Sequence, residues 1–164
     1  MKNLPSRTAL WSIVFIMATS AAFSQSETEL KMKIEKLNME MSKAMIAGDM
    51  DKSLSFYTAD VISLPNYDKM LTGLDALKKS NEEMKKAGWS VTSFRTKTIS
   101  ATGCGNLITE LGTFEISFAM KGSDQLMMDT GKYVTIWEKQ QDGSLKIKVE
   151  IWNTDKYPVK DEKK

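Results

Sequence analysis

Gly131-Lys132-Tyr133-Val134-Thr135-Ile136-Trp137-Glu138-Lys139, and Leu145-Lys146-Ile147-Lys148-Val149-Glu150-Ile151-Trp152-Asn153, decide the fold. Both runs are rich in β-branched and aromatic residues. Gln140-Gln141-Asp142-Gly143-Ser144 lies between them, and Asp-Gly supplies the turn chemistry, so the segment predicts a β-hairpin. Upstream, Trp89–Ser100, Asn106–Met120 and Met127–Lys139 read as further strands, with Gly112 as a bulge or bend in the second. Lys121-Gly122-Ser123-Asp124-Gln125 turns the chain between the last two.

The first part of the chain reads as helix. Ser26-Glu27-Thr28-Glu29 matches a capping box, and Leu30, Ile34, Leu37, Met41, Ala44 and Met45 follow at helical spacing. A helix over about 27–47 is expected, closed by Gly48, with Asp49 capping a second helix over about 50–57. The methionines of the first helix (Met32, Met39, Met41, Met45) are expected mostly in the core. Val61–Leu64 reads as a short strand stopped by Pro65, Met70-Leu71 as another, and Thr72-Gly73-Leu74-Asp75 as the start of a third helix ended by Gly88. Helices followed by an antiparallel meander make the class α+β.

Length and composition bound the rest. The chain has 164 residues, enough for one domain. Lys2 and Arg7, the apolar run around Leu10–Met17, and Ala22-Phe23-Ser24 before Gln25 predict a cleaved secretory signal over residues 1–24. The run is shorter and more interrupted than a spanning helix needs, and anchoring by the uncleaved segment is the alternative. The expectation is a secreted or periplasmic domain over 25–164 with a short charged tail. Losing Lys2 and Arg7 leaves the mature chain near neutrality, with no basic block to neutralise nucleic-acid phosphates. The chain has no histidine, which excludes histidine-based triads and the common zinc sites; no metal and no cofactor are expected. The single Cys104 cannot form an internal disulfide and reads as a small, semi-buried residue near a turn.

Ala47-Gly48-Asp49-Met50-Asp51, Phe56-Tyr57-Thr58-Ala59-Asp60-Val61, Thr72-Gly73-Leu74-Asp75-Ala76-Leu77, Gly131–Trp137 and Ile151–Asp155 occur in the order and spacing of the NTF2-like superfamily. The chain resembles its DUF4440 and SnoaL-like branches over roughly residues 30–155. That resemblance implies a cone: a curved antiparallel sheet wrapped around three helices, a cavity open at one end, and a homodimer formed through the sheet. Members include ketosteroid isomerases, polyketide cyclases and dehydratases, so the fold does not fix the activity. The isomerase carboxylate has no counterpart in Ser63-Leu64-Pro65-Asn66, and the isomerase tyrosine of the first helix has none over Met39–Met45.

Candidate site residues lie on the late strands. Lys148, Glu150 and Trp152 alternate onto one face. The resemblance points that face into the cone, with Tyr133, Thr135 and Trp137 from the neighbouring strand and Phe114 and Ile116 as apolar wall. Tyr57 completes the expected pocket. Alternation alone leans the other way, with Leu145, Ile147, Val149 and Ile151 as the core face. Glu150 in an aromatic pocket would be a proton donor or acceptor and Tyr133 a hydrogen-bond donor. Asp129, Lys132 and Asp155 read as turn and rim ion pairs. A small, apolar ligand, an acid–base enzyme and a non-catalytic dimerisation module are the three functions compatible with this inventory.

Overall fold

The computed structural model describes residues 26–156; the expected signal over 1–24 and the end of the charged tail lie outside them. Three helices and six strands follow in the order α1 (Glu27–Ala47), α2 (Met50–Leu54), β1 (Tyr57–Leu64), β2 (Leu71–Thr72), α3 (Leu74–Lys86), β3 (Trp89–Cys104), β4 (Leu107–Met120), β5 (Leu126–Lys139) and β6 (Leu145–Thr154). No described helix is long and apolar enough to cross a membrane.

The start of α1 is set by local chemistry. Ser26 Oγ accepts from the Glu29 amide at 3.2 Å and Glu29 Oε2 accepts from the Ser26 amide at 3.3 Å, so two orphan donors are satisfied reciprocally. Gly48 takes the left-handed conformation at φ 67° and ends the helix. The inward stripe buries Leu30, Ile34, Met41 and Ala44, and also the polar Asn38. Met32 and Met39 are exposed, on the opposite face from the one expected. α2 stops at Leu54, three residues short of the sequence expectation, because Tyr57 already pairs with β6. That parallel pairing joins segments some ninety residues apart, which no local pattern announces.

The sheet order is β2-β1-β6-β5-β4-β3. β3 to β6 form an antiparallel meander, whereas β1 runs parallel to β6, so the sheet is mixed rather than wholly antiparallel. It is an open, curved sheet with the helices on its concave side; α1 lies along β3. Bulges bend it. β3 carries two, at Thr92 and Ile99, and β6 carries one at Lys148. The two in β3 explain its weak alternation: Val91, Phe94, Thr96, Thr98 and Ala101 all reach the concave face only because the register slips twice. β4 pairs with β5 without interruption, so Gly112 is not a bulge; the bulge lies opposite it, on β3.

Gly112 has a packing role instead. It pairs with Tyr133, and two residues on, on the same face, Phe114 pairs with Gly131. Each aromatic ring lies across the glycine opposite, so a Cβ at 112 would penetrate the Tyr133 ring and one at 131 would meet Phe114 at 2.6 Å. The apolar core fills one end of the cone, from Leu30 and Ile34 of α1 to Ile108, Trp137, Leu145 and Ile147 of the sheet. Cys104 is exposed at the β3–β4 turn rather than semi-buried.

Gly112 has no positive φ, so a substitution there tests the ring contact alone. Gly112→Ala is expected to destabilise the fold by about 1–3 kcal/mol through overpacking, read as a lower urea midpoint at unchanged slope.

Candidate functional site

The other end of the cone is hollow. A cavity of about 680 Å³ is enclosed by β3 to β6, the C-terminal half of α1 and one face of α3. Phe94, Phe114, Ile116 and Trp152 make much of its wall, with Met41 and Met45 from α1. Phe114 and Trp152 meet edge to face with ring centres 6.2 Å apart.

Two carboxylates stand on this concave face. Glu110, Thr135, Glu150 and Ser63 are register partners across β4, β5, β6 and β1, one transverse row. With Thr135 between them, the two glutamates are two strand spacings apart, about 10 Å at the backbone. Glu150 lines the cavity. Its Oε1 accepts from Ser63 Oγ at 2.6 Å and its Oε2 from Tyr57 OH at 3.1 Å. Burial raises Glu150 above the ordinary carboxylate range, and the two hydrogen bonds only partly offset this. Burial, reinforced by the Glu150 charge, pushes Tyr57 well above the ordinary phenol range.

Glu110 lies fully buried beneath the cavity floor. Its Oε1 accepts from Asn38 Nδ2 at 2.8 Å, Thr98 Oγ1 at 2.7 Å and Tyr133 OH at 2.6 Å, and its Oε2 from Trp137 Nε1 at 2.8 Å. Asn38 and Tyr133 form the cavity side of this cluster, and Trp137 the core side. Burial, with Glu110 alongside, raises Tyr133 above the ordinary phenol range. Its proton is committed to Glu110, which leaves its oxygen to accept rather than donate toward the cavity.

Of the residues expected from sequence, Tyr57, Phe114, Ile116, Tyr133, Glu150 and Trp152 line one cavity. Trp137 and Lys148 do not. Trp137 is part of the core and donates to Glu110. Lys148 is the bulged residue of β6 and turns away to pair with Asp60. The bulge also resolves the two readings of this strand: Leu145 and Ile147 face inward before it, Glu150 and Trp152 after it, and Ile151 is exposed. Lys132 and Asp155 form an exposed ion pair at 2.7 Å, while Asp129 joins the cavity wall. Glu110 and Asn38 were not singled out from sequence. The signal was present: two and four residues before Gly112 and Phe114 on an alternating strand is Glu110, and four after Ile34 is Asn38, each a polar residue on a buried file. Among the described residues, no group of His, Cys, Asp or Glu could hold a metal ion.

No protein-family model matches the chain, and no curated protein sequence does. Solved structures do. A ketosteroid isomerase-like protein from Erwinia carotovora atroseptica superposes with a TM-score of 0.67 at 12% identity, over 79% of this chain and 98% of that one. An NTF2-like superfamily protein from Salmonella enterica serovar Typhimurium gives 0.67 at 11% identity, over 82% and 97%. A protein from Catenulispora acidiphila, solved in complex with S-DNPA, gives 0.68 at 11% identity, over 79% and 96%. The chain has the NTF2-like cone fold shared by these ketosteroid isomerase-like and SnoaL-like structures.

The raised values set a pH dependence. Below about pH 4.5 folded and unfolded chains both hold the Glu150 proton; as pH rises the unfolded chain releases it first, so this contribution to stability is lost until the raised folded value is passed. The stability of wild type relative to Glu150→Gln is expected to fall with pH across that window, measured by urea unfolding at stepped pH. Tyr57 and Tyr133 act with the same sign above pH 10.0.

Proposed function

We propose that this is an exported protein that binds a small, largely apolar molecule in the cone cavity. The observation that carries the reading is the cavity itself: about 680 Å³, walled by aromatic and aliphatic side chains, with a few polar groups gathered at Glu150. That is the size and lining of a site for a drug-sized ligand. That a protein of the same fold was solved in complex with S-DNPA supports the reading by fold. Export rests on the sequence of residues 1–24.

Native mass spectrometry of protein purified from the exported pool tests it: a small molecule released on denaturation is expected. Ile116→Trp, which fills the cavity, is expected to remove that molecule while the far-ultraviolet circular dichroism is retained. A folded protein that comes out bare from both preparations counts against the reading.

A second reading, an enzyme of the isomerase, cyclase or dehydratase kind, is favoured by one observation: Glu150 is a cavity-lining carboxyl with a raised pKa. Such a group is placed to take or give a proton to a bound molecule. Tyr57 and Ser63 hold it in place, whereas Tyr133 serves Glu110.

The expected homodimer finds support on the outer face of the sheet. Leu111, Val134, Ile151 and Leu64 are register partners across four strands, and Leu111 and Ile151 are 45% and 41% exposed. We expect a dimer through this stripe, and Val134→Lys should shift the sedimentation velocity profile to monomer.

A further inference from the structure

The charge and hydrogen-bond character of the cavity narrow its ligand further. Four polar side chains on the wall already donate hydrogen bonds to carboxylates: Tyr57 and Ser63 to Glu150, Tyr133 and Asn38 to Glu110. Each oxygen of Glu150 keeps a second acceptor position. The ionisable lining groups besides the tyrosines are Glu150, Asp129, Asp68 and Lys85. Lys85 lines the cavity from the exposed last turn of α3, at its rim, and among the described residues no other basic side chain lines it.

Asp129 is six residues along β5 from Thr135, the neighbour of Glu150, which separates them by about 20 Å. One carboxylate therefore stands deep in the wall, and Asp129 and Asp68 stand toward the opening. Between them lie the rings of Phe114 and Trp152, with Phe94 in the row of Asp129 and Phe118 beyond it. Aromatic faces attract a cation and a buried carboxylate is its natural terminus; a carboxylate or phosphate ligand would meet like charge at both places. Thr96, Thr135 and the Trp152 indole can still donate, and serve a neutral polar group, but none offsets an anion's charge.

We propose that the cavity selects a protonated amine carried on an apolar, ring-sized body, with the ammonium group seated against Glu150. The proposal rests on the cavity-binding reading above.

Three ligands that share one skeleton test it: 2-naphthylmethylamine, 2-naphthylmethanol and 2-naphthoic acid, titrated calorimetrically into the purified protein at neutral pH and low salt. The amine is expected to bind at least about tenfold tighter than the alcohol, the acid weakest, and the amine's advantage to shrink with added salt. In Glu150→Gln the amine-to-alcohol ratio is expected to fall to about one. The wild-type ranking decides the matter even if that variant fails to fold. Alcohol or acid binding as tightly as the amine overturns the proposal and leaves the cavity reading intact. Binding of none of the three overturns both.

Discussion

A carboxylate with no solvent exposure and four neutral donors holds this cone together. Burying Glu110 unaided would cost several kcal/mol, and a cation is the usual remedy. Here hydrogen bonds from α1, β3 and β5 offset that cost, each charge-assisted and stronger than a neutral pair. Because the donors come from three elements, the position of α1 over the sheet, the stance of the Tyr133 ring and the depth of Trp137 are fixed by one atom group. The glycine opposite Tyr133 follows from the same constraint, since the ring must cross β4 to reach Glu110.

This cluster also divides the interior. On one side Ile34, Ile108, Trp137 and Ile147 pack into a solid core; on the other Asn38 and Tyr133 look into open space. The polar layer is where filled cone becomes hollow cone. Glu150, in the same transverse row, has fewer donors and a face toward the cavity, so two like residues 40 positions apart, with β5 between their strands, take different parts. One is anchored; the other is available.

Much of this was legible in the chain. The capping box at Ser26 and the left-handed Gly48 placed α1 to the residue, because both act within one turn. The late strands were legible from β-branched and aromatic content and the Asp-Gly turn. What was not legible depended on register. Lys148 was assigned to the cavity on an alternation that a one-residue bulge breaks, whereas Trp137 keeps its expected face but stands at the filled end of the cone. β1 was expected from Val61 but begins at Tyr57, because pairing with β6 extends it. Glu110 and Asn38 were legible in pattern, as polar residues on buried files, but their meaning lies in their meeting across 72 residues of sequence.

The bulge at Lys148 carries a consequence for how such a cavity could change its chemistry. Upstream of it β6 faces the core with Leu145 and Ile147; downstream it faces the hollow with Glu150 and Trp152. Because Lys148 is the extra residue, its loss would leave a regular ladder, Ile147 opposite Trp137 and Val149 opposite Ile136, with Glu150 and Trp152 still facing the hollow. The bulge is what lets Ile147 and Glu150, three positions apart, share one face. Closing the bulge with Lys148 retained would instead bring Val149 and Ile151 in and turn the acid out, leaving this strand's wall apolar.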